Sequence, residues 1–72
     1  MEPEECLRVL KLGPDPTLEA VREARRKLLL LYHPDHNPSR PEWAAEQTRL
    51  VLEAYVQLVE RMGYAESPRP AG

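Results

Sequence analysis

Prolines divide this chain of 72 residues into three segments, each with the hydrophobic spacing of a helix. Pro14 and Pro16 prevent a first helix from continuing. Pro34 ends a second helix, because a proline disfavours the α conformation of the residue before it. Pro41 is compatible with the first turn of a third helix, where its missing N–H costs nothing. Nothing in the sequence resembles a strand, so we expect an all-α fold.

The first predicted helix runs from Pro3 to about Lys11, and acidic residues near its start favour its dipole. Gly13 is expected to take the left-handed conformation that commonly ends a helix. Cys6 is the only cysteine, so no disulfide can form within the chain. We expect Cys6 to be a buried or half-buried apolar residue of this helix.

The second predicted helix covers residues 18–32, with Thr17 as its N-cap. Its apolar stripe contains Leu18, Val21, Leu28 and Tyr32. Arg25 interrupts the stripe, and we expect its aliphatic stem to cover the apolar seam while its charge reaches water. A run of four leucines cannot lie on one face of a helix, so Leu30 or Leu31 should be exposed.

The third predicted helix covers residues 40–62 and ends at Gly63. Ser39 and Glu42 match the capping-box pattern at its start. Its expected buried seam is Ala44, Thr48, Val51, Tyr55, Leu58 and Met62. The second and third helices should form an antiparallel hairpin with the first helix packed across it. We expect one domain over residues 1–65 and a disordered tail over residues 66–72.

Charge is unevenly distributed along the chain, whose formal net charge is −2. Arg22, Arg26 and Lys27 share one solvent face of the second helix, which favours a specific acidic partner over bulk polyanion binding. No apolar run approaches the roughly 18 residues that span a bilayer, and no signal peptide is recognisable. A chain this short has little room for an enclosed active site. We expect a cytoplasmic, monomeric, non-enzymatic domain without a cofactor.

The segment Tyr32-His33-Pro34-Asp35-His36-Asn37-Pro38 lies between the two long helices. Together with the basic helix before it and Glu53-Ala54-Tyr55 after it, this segment resembles the J domain of DnaJ-type co-chaperones. The resemblance implies docking of Arg22, Arg26 and Lys27 on the ATPase domain of a DnaK-type chaperone. It also implies that His33, Pro34 and Asp35 stimulate ATP hydrolysis by that chaperone, with Arg25, His36 and Asn37 as candidate additional contacts.

The chain departs from the usual J-domain pattern at several positions. Cys6 and Leu7 stand where the family usually has paired aromatic residues, and Thr48 stands where it usually has a core phenylalanine. Arg25 replaces an aromatic residue, and no fourth helix is recognisable after Met62. The chain is therefore either a minimal J protein or a fragment of a longer one.

Three other interpretations compete with an activating J domain. The first is a J-like adaptor that binds a chaperone without activating hydrolysis. The second is a helix-turn-helix DNA-binding domain, which the negative net charge and the acidic, apolar last helix oppose. The third is a metal site at His33 and His36, which lacks the paired ligands of a structural zinc site. We expect neither nucleic acid nor a metal to bind.

Overall fold

The computed structural model describes residues 1–64, which form three α-helices and one short 3₁₀ turn. Helix α1 spans Pro3–Val9, α2 spans Leu18–Leu31 and α3 spans Pro41–Arg61. The 3₁₀ turn, Pro34–His36, lies in the connection between α2 and α3. The expected all-α hairpin is confirmed. The predicted tail over residues 66–72 and the domain boundary at residue 65 lie outside the described residues.

Helix α3 is the centre of the fold, because both α1 and α2 pack against it. The buried cluster consists of Cys6, Leu10, Val21, Leu28, Val51, Ala54, Tyr55, Leu58 and Val59. Burying one such leucine or valine contributes about 1.5–3 kcal/mol. The predicted buried seam of α3 is confirmed at Ala44, Val51, Tyr55 and Leu58, whereas Thr48 and Met62 are only half-buried. Ala54 and Val59 are also buried, since α3 serves two neighbouring helices.

The start of α2 follows the prediction, because the Thr17 hydroxyl oxygen accepts a hydrogen bond of 3.1 Å from the Ala20 N–H. At the other end, Leu30 and Leu31 are both exposed, at 54% and 55%. Arg25 is half-buried and makes a contact that the sequence did not predict. Its guanidinium carbon lies 5.0 Å from the centre of the Tyr55 ring, and its Nε is buried without a hydrogen-bond partner. A cation–π contact with Tyr55 therefore holds the Arg25 head group.

The prediction that Gly13 ends α1 in the left-handed conformation is wrong, because Lys11 takes that conformation with φ 58°. The Leu12 N–H donates to the Leu7 carbonyl at 2.8 Å, and the Lys11 N–H donates to the Arg8 carbonyl at 3.1 Å. These two bonds form a Schellman motif. Leu12 packs against the buried cluster, which offsets the strain of a lysine at this position.

The predicted capping box at Ser39 and Glu42 is also wrong. Arg40 is the N-cap of α3, with φ −140° and no side-chain cap bond, and Pro41 is the first helical residue. A cap at Ser39 would place Arg40 in the α conformation immediately before a proline, which the proline ring disfavours. The end of α3 does follow the prediction: Met62 is the C-cap, and Gly63 follows it with φ 93°.

Candidate functional site

The His33-Pro34-Asp35 segment leaves the end of α2 as an exposed turn. His33 has extended backbone angles, φ −62° and ψ 138°, as expected for a residue before proline. Its Nδ1 accepts a hydrogen bond of 3.1 Å from the Asp35 N–H, so His33 caps the 3₁₀ turn with its own ring. The side chains of His33 and Asp35 are 53% and 87% exposed. The turn therefore presents an imidazole and a carboxylate to solvent in a defined backbone conformation.

Side chains from the loop and from α3 bind the carbonyl groups at the end of α2. His36 Nδ1 lies 2.7 Å from the Leu30 carbonyl oxygen. Asn37 Nδ2 donates to the carbonyl oxygens of Leu31 and His33, both at 2.9 Å. The Thr48 hydroxyl donates to the Tyr32 carbonyl at 3.4 Å. Each of the four consecutive carbonyl groups of residues 30–33 therefore has a side-chain partner, and those of Leu30 and His33 also accept from the backbone N–H groups of His33 and His36.

His36 and Asn37 are expected from the sequence only as candidate partner contacts, and their capping role is not predicted. The sequence signal for side-chain capping is the absence of a glycine at the end of α2. The last carbonyl groups of a helix need partners outside the helix, and a left-handed glycine is a common way to provide them. Where Pro34 follows instead, polar side chains shortly after the helix are the available donors.

Aromatic residues support the same end of the hairpin from the side of α3. The Tyr32 and Trp43 rings meet edge to face, with centroids 5.5 Å apart. The Arg40 guanidinium carbon lies 4.0 Å from the centre of the Trp43 ring. Trp43 is still 36% exposed. This contact joins the C-terminus of α2 to the N-terminus of α3 on both sides of the loop.

The basic face of α2, defined as Arg22, Arg26 and Lys27, is exposed as predicted. Acidic residues interrupt it, because Glu19 and Glu23 line one shallow surface depression together with Arg22 and Arg26. Arg26 binds the Glu23 carboxylate through Nε and Nη2, with Nη2 2.7 Å from Oε2. This hydrogen bond lowers the pKa of Glu23 and raises the pKa of Arg26. The face is therefore less positive than its arginines and lysine alone indicate.

Cys6 lies in the core, away from the exposed loop, and is fully buried. Burial raises the pKa of its thiol, and the charge of Glu5 acts in the same direction. Within residues 1–64, no three histidine, cysteine or acidic side chains are grouped as metal ligands are. None of the helices described is long and apolar enough to cross a bilayer.

The features of the loop and the basic helix are those of one known protein family. A family model described as the DnaJ domain matches residues 5–62. This chain belongs to the DnaJ domain family. The match covers the three α-helices of this chain, apart from the first two residues of α1, and the whole loop between α2 and α3.

Several curated J-domain proteins are similar to this chain. Chaperone protein DnaJ from Nitratiruptor sp. is 45% identical over 47 residues, which cover 65% of this chain and 12% of that protein. DnaJ homolog subfamily B member 3 from Homo sapiens is 43% identical over 47 residues, which cover 65% of this chain and 32% of that protein. Chaperone protein DnaJ from Wolbachia sp. subsp. Drosophila simulans is 37% identical over 59 residues, which cover 78% of this chain and 16% of that protein.

The chain thus spans less than a third of each of these relatives. The comparison with solved structures found no significant match. Membership in the J-domain family is established, while the roles of the individual loop and basic-face residues remain predictions.

Proposed function

We propose that this J domain docks on the ATPase domain of a DnaK-type (heat-shock protein 70) chaperone and stimulates its ATP hydrolysis. The observation that carries the proposal is the exposed His33-Pro34-Asp35 turn, which capping bonds hold at the end of a helix with a basic face. Two similar proteins bear the name chaperone protein DnaJ, which supports a role in the same chaperone system.

The domain acts on the catalysis of another protein and supplies no catalytic group of its own. Only a difference in affinity between two states of the chaperone can shift the chaperone toward hydrolysis. In this proposal, His33, Pro34 and Asp35 bind the hydrolysing state more tightly than the resting state. Arg22, Arg26 and Lys27 attract and hold an acidic surface of the same chaperone.

Single-turnover ATPase measurements on a DnaK-type chaperone test this proposal. Wild-type domain should accelerate hydrolysis, and His33→Gln and Asp35→Asn should each remove most of the acceleration. Asp15→Asn is the matched control, because it makes the same acid-to-amide change in the loop between α1 and α2. Equal acceleration by wild type and His33→Gln would refute the activating role.

The basic face is tested by charge reversal at Arg22 and Arg26. Interactions between exposed charges are screened over about 10 Å at 0.1 M salt, so docking should weaken as salt rises. The double reversal should weaken docking at low salt and abolish most of the salt dependence, while the helical content stays unchanged. Arg49→Glu on α3 provides a control reversal at an exposed arginine outside this face. If the affinity for the chaperone changed neither with salt nor with the double reversal, the basic face would have no role in docking.

The same assays separate the competing functions. Binding to the chaperone without acceleration of hydrolysis would favour the adaptor. Salt-sensitive binding to duplex DNA would favour the nucleic-acid interpretation. We further propose that the domain acts as a monomer in the cytoplasm, which sedimentation and cell fractionation can check.

A further inference from the structure

The two histidine rings of the loop each make a hydrogen bond through Nδ1. The His33 Nδ1 accepts its bond, whereas the His36 Nδ1 donates. The Nδ1 atom of His33 lies 3.1 Å from the Asp35 backbone nitrogen, which can only donate. The Nδ1 atom of His36 lies 2.7 Å from the Leu30 carbonyl oxygen, which can only accept. Each neutral imidazole carries one proton, so the bond at Nδ1 determines the state of Nε2.

We propose that the loop holds His33 and His36 in opposite tautomers, so that His33 presents an N–H donor at Nε2. The chaperone that binds the loop then supplies a hydrogen-bond acceptor for this Nε2–H group. His36 then carries its proton on Nδ1 and has an unprotonated Nε2. Both histidines are exposed, so a partner can reach either Nε2 atom. The statement about the partner rests on the proposed chaperone function, whereas the statement about tautomers concerns the domain alone.

The alternative to this assignment is a His33 ring with a proton on Nδ1. One carboxylate oxygen of Asp35 lies 3.7 Å from His33 Nδ1, where it could accept from a protonated ring. That separation exceeds an ordinary hydrogen bond, and the Asp35 side chain is 87% exposed, so solvent weakens the attraction. A proton on Nδ1 would also leave the Asp35 N–H without its acceptor, because two N–H donors would then face each other. The turn therefore fits a ring whose Nδ1 is unprotonated and whose Nε2 carries the proton.

Tautomers can be read directly from long-range ¹⁵N–¹H correlation spectra of the free, labelled domain. At about pH 8, where free histidine is neutral, we expect a protonated Nε2 for His33 and a protonated Nδ1 for His36. These two are the only histidines of the chain, and their opposite patterns make each ring the control for the other. Identical patterns, averaged patterns or a doubly protonated His33 would each overturn the assignment.

Two substitutions at His33 separate capping from presentation. His33→Asn places an amide oxygen near the Nδ1 position, where asparagine is a good cap, but it has no group that reaches the Nε2 position. His33→Gln reaches toward the Nε2 position but loses the cap. We expect His33→Asn to keep the tautomer of His36 and the Asp35 amide resonance close to wild type. It should nevertheless bind the chaperone about three- to tenfold more weakly, as the loss of one hydrogen bond predicts.

The outcomes distinguish this proposal from the proposed function. If His33→Asn binds and activates the chaperone as wild type does, while Asp35→Asn remains inactive, then the donor is not used but the domain is still an activator. If neither wild type nor any variant binds the chaperone, the chaperone function fails, and the spectra still decide the tautomers. A His33→Asn domain with a disturbed His36 tautomer would show that asparagine does not restore the cap and would overturn the separation of the two roles.

Discussion

The two long helices of this domain end in different ways. Helix α3 ends through its backbone, since Gly63 takes φ 93° and the Gly63 and Tyr64 N–H groups donate to carbonyls of the last turn. At the end of α2, the side chains of His36, Asn37 and Thr48 donate to the last carbonyl groups in addition to backbone N–H groups. The backbone ending of α3 uses one glycine and positions no side chain of the candidate site. The side-chain ending also fixes the loop that follows, and the candidate site lies in that loop.

The largest effect is expected from Asn37→Asp, which keeps the shape of the side chain but removes both of its donors. Two hydrogen bonds to carbonyl groups are lost, and a negative charge is placed at the C-terminus of α2. We expect the free energy of unfolding to fall by about 2 kcal/mol. Stimulation of the chaperone should also be lost, because His33 is no longer held. Urea unfolding and the ATPase assay measure the two effects.

The control for this change is Gln57→Glu, which makes the same amide-to-acid change within α3. It should leave both quantities close to wild type. If Asn37→Asp were as stable and active as Gln57→Glu, the side-chain ending would have no structural role and the comparison between the two helix ends would fail.

A smaller effect is expected at the backbone ending. A Cβ atom added to Gly63 would meet no atom within 4 Å, so Gly63→Ala costs only the strain of a left-handed alanine. That strain is about 1–2 kcal/mol. Gly13→Ala is the matched control, because its Cβ also meets open space and its φ lies outside the left-handed region. The control should be neutral or slightly stabilising, through lower entropy of the unfolded chain. Chaperone stimulation should survive Gly63→Ala, and its loss would show that the end of α3 also supports the site.

Local signals in the sequence predicted much of the fold. Thr17 and Gly63 were recognised because capping residues act on the nearest turn of their own helix. The Ser39 cap failed because a second local rule, the restriction that Pro41 places on Arg40, was stronger. Lys11 could not be identified, because its left-handed conformation depends on the packing of Leu12 against residues far away in the sequence.

The site was only partly predictable for the same reason. The exposure of His33, Pro34 and Asp35 follows from the proline that ends α2, and the basic face follows from helical spacing. The capping bonds of His36 and Asn37 could not be predicted, because they depend on how the chain turns back over the end of α2. The bond from Thr48 to Tyr32 joins residues 16 positions apart, so it depends on the packing of two helices.

Helix α1 ends in a third way, and a substitution at its end should raise the stability of the domain by a smaller amount. It ends through its backbone but with lysine in place of glycine, at φ 58°. Lys11→Gly removes the strain of the left-handed conformation, although the unfolded chain gains entropy. We expect stabilisation of up to about 1 kcal/mol, measured by thermal unfolding. Lys27→Gly, in the interior of α2, should instead destabilise the domain by a similar amount. Destabilisation by Lys11→Gly would show that the lysine side chain itself contributes to this helix end.

The smallest effect on stability is expected on the surface that leads to the loop, at Glu23. Glu23→Gln removes the ion pair with Arg26, but that pair is exposed and screened, so unfolding at neutral pH should not change measurably. The hydrogen bond from Arg26 lowers the pKa of Glu23 in the folded state. Any stabilisation is therefore present above the ordinary glutamate pKa and is lost as the pH falls through the lower folded value.

Docking should respond to Glu23→Gln more than stability does. The variant adds one unit of positive charge to the basic face, so association with an acidic chaperone surface should become faster at low salt. The difference from wild type should shrink as salt rises. Glu46→Gln is the matched control, because it removes an equivalent exposed pair with Arg49 on α3 and makes the same change in net charge. If both variants associated with the chaperone equally faster than wild type, net charge would drive docking. Acceleration by Glu23→Gln alone would identify α2 as the surface that meets the partner.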